Sequence, residues 1–233
     1  MGKDLARVSA FESASSAQAP AGKGPRARTY RMLLAEAMRI VGRGHIPSVA
    51  EVAQGAGVSR ATAYRYFPSR SKLILAMVGE ALGPVREFEP TSQDGAERIN
   101  ELFDQTFPRF REYEPHLRAA LQLAIEHEAL ERAGLLEEEP FRRGHRVAIL
   151  RRTAGPLRAA LGARSFDRMV KALSLVYGIE PYVVLKDIWG SSDREVQAIS
   201  KWMLNAIVDT ALREAAPPRS RASSRGGPRG RRG

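Results

Sequence analysis

The sequence predicts an all-α fold in two unequal parts, and three observations carry that prediction. Apolar residues recur at three-to-four spacing from Arg28 onward, and no segment alternates as a half-buried strand would. Capping residues and glycine or proline stops cut the pattern into short helices up to Gly83-Pro84 and longer ones after Asp94. Between Ser48 and Phe67 the pattern folds back on itself across Gly55 and Gly57, giving two short helices joined by a tight turn.

The first helix starts near Arg28, uses Tyr30, Leu33, Leu34, Ala37 and Ile40/Val41 as its apolar face, and stops at Gly42-Arg-Gly44. Ser48 caps the second, with Glu51 three residues on at capping-box spacing. Ser59 caps the third. Its apolar residues Val58, Ala63 and Phe67 turn inward, leaving Arg60, Thr62, Tyr64 and Arg65 on an exposed arc with no acid among them. Ser69 caps a fourth helix that carries Leu73, Ile74, Met77 and Val78.

The second part opens with a helix from about Ala96 to Tyr113, with Ile99, Leu102, Phe103, Phe107 and Phe110 on one face. Pro115 starts the next, which ends at Gly134. Glu137-Glu-Glu-Pro140 suits the positive N-terminal end of a helix spanning about 141–161, broken or kinked at Pro156. Two apolar helices follow, about 164–188, interrupted by Gly178 and Pro181, and about 192–213 after a Gly190-Ser-Ser-Asp193 turn. The expected organisation is a flexible tail at 1–25, a compact module at 26–86, a larger helical domain at 87–214, and an arginine-rich disordered tail at 215–233.

Charge and composition narrow the function. The 233-residue chain has a formal net charge of +11, which favours a polyanionic partner, nucleic acid before a membrane surface. Six arginines and no acid in residues 215–233 supply more than half of that excess. Without cysteine, disulfides and thiolate chemistry are excluded. No metal-ligand spacing and no assembled nucleophile, base and orienting group are present, so no metal, no cofactor and no enzyme activity is expected. No apolar run approaches the roughly 18 residues of a membrane span, and Met1 to Pro25 has no signal-peptide core. A cytoplasmic, nucleoid-associated protein is the expectation.

The two short helices have the layout of a helix-turn-helix, whose second helix enters the DNA major groove. Arg60 or Arg65 suits bidentate contact with guanine, and Thr62 suits a thymine methyl or a phosphate. Tyr64 and Tyr66 suit phosphate, and Arg70 and Lys72 can neutralise further phosphates. The capped helix ends at Ser48 and Ser69 aim N–H groups outward, and Ser59 completes the DNA-binding set. Arg26 and Arg28 are placed to act as an arm ahead of the first helix. Pro228-Arg-Gly-Arg231 resembles the core of an AT-hook, with Arg232 where that motif has proline.

Over Arg28 to Val78 the sequence resembles the TetR family of bacterial transcription regulators. Gly57-Val-Ser59, Tyr64-Arg-Tyr-Phe67, Ser69-Arg70 and Leu73 fall at the family's spacing. The resemblance implies an all-α protein with an N-terminal three-helix helix-turn-helix DNA-binding domain and a C-terminal helical ligand-binding and dimerisation domain. It implies a homodimeric regulator, usually a repressor released from a palindromic double-stranded operator by a small-molecule ligand. It puts Ser48, Thr62, Tyr64, Tyr66 and Arg70 at DNA-contact positions. Tyr66 stands where the family often has histidine, Arg70 where it usually has lysine, and Ala63 is smaller than the usual apolar residue. An architectural protein that binds DNA without base choice is the alternative.

Two further sets are expected in the second part. Phe103, Phe107, Phe110, His116 and His127 are candidates for the ligand pocket, although a Phe stripe at this spacing is more often core and such histidines are more often surface or satisfied ones. Phe166, Met169, Leu173 and Tyr177, with Ile199, Trp202, Met203 and Ile207, are candidates for the dimer interface.

Overall fold

The computed structural model describes residues 23–141 and 145–216. Ten α-helices and no strand occur among them. They are α1 (Pro25–Val41), α2 (Val49–Gly55), α3 (Arg60–Tyr66), α4 (Arg70–Leu82), α5 (Gly95–Glu112), α6 (Glu114–Ala133), α7 (His145–Thr153), α8 (Arg158–Val176), α9 (Glu180–Trp189) and α10 (Asp193–Ala215). Short 3-10 turns follow α4 and α7. None of these helices is long and apolar enough to cross a membrane. The expected tails at 1–25 and 215–233 fall almost wholly outside the described residues, as do the AT-hook-like segment and Arg142-Arg143.

Local chemistry sets the boundaries. Ser48 and Glu51 form a reciprocal capping box at the start of α2. Ser59 and Ser69 accept from the backbone N–H of Thr62 and Lys72 at the starts of α3 and α4. Gly57 makes the turn, at φ +67°. Gly55 does something different from the turn role expected of it: it is the last residue of α2, and a Cβ there would run into the Glu36 carboxylate of α1. It leaves room for that side chain between α1 and α2.

Three expectations are corrected. Pro25 starts α1, so Arg26 and Arg28 are helical and exposed rather than an arm ahead of the helix. The Gly178–Pro181 interruption is a full break that separates α8 from α9. The Glu137–Glu139 stretch does not open a helix; residues 135–141 form a non-helical strap. At Pro156 the chain does break, through a 3-10 turn at Gly155–Leu157.

Two apolar clusters organise the chain. One joins α1 to α4 around Leu33, Val52, Ala63, Phe67, Leu73 and Met77, with Phe67 stacked 5.2 Å from Tyr30. Ala119, Ala120 and Leu123 of α6 and Phe141 of the strap complete it. The other is built from α5, α7, α8, α9 and α10 and takes in the far end of α4 and Leu117 of α6. Helices α4 and α6 therefore belong to both halves. Arg109 of α5 fixes the end of α4 by donating to the Ala81 and Glu80 carbonyls at 2.8 and 2.5 Å.

Candidate DNA interface and ligand cavity

Helix α3 sits on the surface with one inward anchor, Ala63. Arg60, Tyr64 and Arg65 are exposed, and Thr62 is half-buried. No ion pair among the described residues engages Arg60 or Arg65. Tyr66 is half-buried and leans back toward Tyr30, ring centroids 6.5 Å apart. The two serines at the helix starts are already engaged. Ser59 donates to Thr62 Oγ1 at 2.9 Å, and Ser48 donates from both its N–H and its hydroxyl to Glu51 Oε2 at 2.7 Å. Those bonds from Ser48, with one from His45, pull the Glu51 carboxyl down to about 2.

The start of α4 differs. Arg70 makes a two-pronged contact with Glu126 of α6, at 2.9 and 3.3 Å. Lys72 pairs with Glu139 of the strap at 2.8 Å. Ser71 donates its N–H to Glu138 and its hydroxyl to the Glu139 carbonyl. Both cations expected to meet phosphate are thus held by carboxylates of the second part.

Residues 33–77 match the sequence profile of the bacterial regulatory proteins of the tetR family. The chain thus shares the N-terminal domain of that family, which supports a TetR-family regulator. It is a DNA-binding transcriptional regulator of the helix-turn-helix class, and the matched span runs from inside α1 to Met77 of α4. No curated protein matches the chain.

A cavity of about 80 Å³ opens between α4 and the second part. Leu75, Val78 and Leu82 form its α4 wall, opposite Phe110, Leu117 and Phe141. Its side chains with polar groups are His145, Arg146 and Tyr177, the last with its hydroxyl bonded to Thr106 at 3.0 Å. Burial pushes His145 down to about 4, with the Arg86 cation adding to the shift, so the imidazole is uncharged near neutrality. Arg146 donates to both Glu180 oxygens at 2.7 and 2.8 Å and to the Ser174 carbonyl. The cavity therefore offers an apolar body with no unbalanced charge.

Of the expected pocket set, only Phe110 lines this cavity. Phe103 and Phe107 are core, 5.7 Å apart edge to face, with Phe103 also packed on Tyr177. His116 donates Nε2–H to the Met38 carbonyl at 2.9 Å and so ties α6 to α1. His127 accepts the Phe141 N–H on Nδ1 at 3.1 Å and faces Glu138 with Nε2 at 3.4 Å; it holds the strap. Both histidines of α6 therefore pack against structure rather than face the cavity. Residue spacing gave no sign of Phe141, His145 or Arg146 as lining groups.

The expected dimer set also divides. Phe166, Met169, Leu173 and Tyr177 are buried in their own chain's core, so the apolar stripe of α8 is spent internally. Ile207 is half-buried against the same core. Ile199, Trp202 and Met203 face outward on α10, with Trp202 72% exposed. Leu175 on α8 and Val184, Ile188 and Trp189 on α9 are also exposed.

Proposed function

We propose that the protein is a homodimeric, sequence-specific repressor, acting in the cytoplasm on the nucleoid, that a small uncharged apolar molecule releases from its operator. One observation carries this reading: the cavity wall and the DNA-facing module share helix α4. Leu75, Val78 and Leu82 touch the cavity, and three residues separate Arg70, the first of α4, from Tyr66, the last of α3. A molecule seated in the cavity acts on the helix that carries α3. It releases DNA only in so far as it binds the two arrangements of α4 with different affinity. Apolar walls, an uncharged His145 and a paired Arg146 favour an apolar ligand with at most a neutral hydrogen-bonding group.

The dimer is supported by the outward apolar residues of α8 and α10, Leu175, Ile199, Trp202 and Met203. Two copies of this helix pair would make a four-helix interface and set the two α3 helices about one DNA turn apart, roughly 34–36 Å. Trp202→Glu should convert the dimer to monomer in sedimentation equilibrium while leaving helix content unchanged.

Selection of bound duplexes from a random pool tests the reading. A palindrome with half-sites one turn apart supports it. A pool that enriches no sequence favours the architectural alternative.

A further inference from the structure

The start of α4 carries two cations on the side of the module that follows α3, and both are occupied from within the chain. Glu126 takes Arg70 and Glu139 takes Lys72. The strap that brings Glu139 is itself pinned: Ser71 bonds Glu138 and the Glu139 backbone, and His127 accepts the Phe141 N–H. Phe141, two residues beyond Glu139, is buried and forms part of the cavity wall. The pairs are only partly shielded, with Glu126 and Glu139 side chains 40% and 52% exposed. Ion pairs so exposed are individually weak, and an incoming polyanion can displace them. A carboxylate pair presented to Arg and Lys offers the same anionic, acceptor-only chemistry as two backbone phosphates.

We infer that Glu126 and the 137–139 strap form a self-masking contact, in which carboxylates of the second part compete with DNA phosphate for Arg70 and Lys72. This rests on the reading of α3 and the start of α4 as the DNA-facing edge. The closed strap is the arrangement of lower DNA affinity, and DNA binding has to open it. Its anchor in the cavity wall puts the mask within reach of whatever fills the cavity.

The test is a double-mutant cycle on the full chain, with a duplex of about 30 base pairs, three helical turns, carrying the selected site, at one fixed salt concentration near 0.15 M. E126Q/E139Q should bind about tenfold tighter than the parent, as two weak pairs are removed. E128Q/E131Q, on the same α6 and with the same charge change, should bind like the parent. Lys72→Gln should cost more affinity in the E126Q/E139Q background than in the parent. Equal gains from the two glutamine pairs, or an equal cost of Lys72→Gln in both backgrounds, would overturn the mask. Arg60→Ala on the same duplex separates the two levels. If it weakens binding while the cycle shows no coupling, only the mask fails; if it has no effect, the underlying reading of α3 fails.

Discussion

Helix α3 and the first turn of α4 are neighbours in sequence, both basic and both capped by serine, yet the fold treats them in opposite ways. Arg60 and Arg65 stand in solvent without carboxylate partners among the described residues. Arg70 and Lys72 are held by Glu126 and Glu139, more than fifty residues further along the chain. The difference separates two jobs that composition alone merges. One set of cations is free for an outside polyanion at all times, and the other is part of the contact between the two halves. On the proposed reading, regulation is built where the second set lies, since there basic residues beside α3 depend on the arrangement of the second part.

The largest effect should come from the residue that seats α3 and α4 together. Phe67 is 2% exposed and stacks on Tyr30. Phe67→Ala should destabilise the N-terminal module by about 3–5 kcal/mol, read by chemical denaturation. If α3 kept its place without it, the shared seating of the two basic regions would be wrong.

The turn before α3 comes next. Gly57 adopts φ +67°, so Gly57→Ala should cost about 1 kcal/mol. Gly55→Ala should be near neutral: the gain of alanine in a helix offsets moving the flexible Glu36 carboxylate aside. Equal destabilisation at the two glycines, measured as shifts in denaturation midpoint, would contradict their separate roles.

The smallest effect is a pH dependence at α2, which supports α3 from behind. The Glu51 carboxyl is lowered from 4.5 to about 2, chiefly by the Ser48 N–H. A lowered folded value means that its contribution is complete above pH 4.5 and is lost as pH falls toward 2. The group is largely exposed, so screening keeps the effect small. Glu51→Gln should flatten stability between those limits, its small cost being fully present at neutral pH and gone as pH approaches 2.

What the sequence made legible is local. The caps at Ser48, Ser59 and Ser69 and the left-handed Gly57 follow from neighbours three or four residues apart, and the structure has each of them. The break at Pro156 is of the same kind. Periodicity also identified the buried faces, but it cannot say what a buried face packs against. The Phe103–Phe107 stripe and the Phe166–Tyr177 stripe are thus core rather than pocket and interface. The carboxylates on Arg70 and Lys72 were illegible for a third reason: their partners are 56 and 67 positions away. The run of three acids ahead of Pro140 was visible, but it does not open the helix expected after it; Glu138 instead accepts the Ser71 N–H at the start of α4.

The most direct test of the contrast is to titrate Arg60→Ala and Lys72→Gln side by side against the selected duplex, at one salt concentration. Arg60→Ala should weaken binding about tenfold or more and relax the preference at one base position. Lys72→Gln should change affinity by less than about threefold, because removing the ammonium takes away a phosphate partner and, at the same time, the Glu139 pair that opposes binding. A Lys72→Gln effect as large as that of Arg60→Ala would contradict the account, because it would mean that the two basic regions act alike.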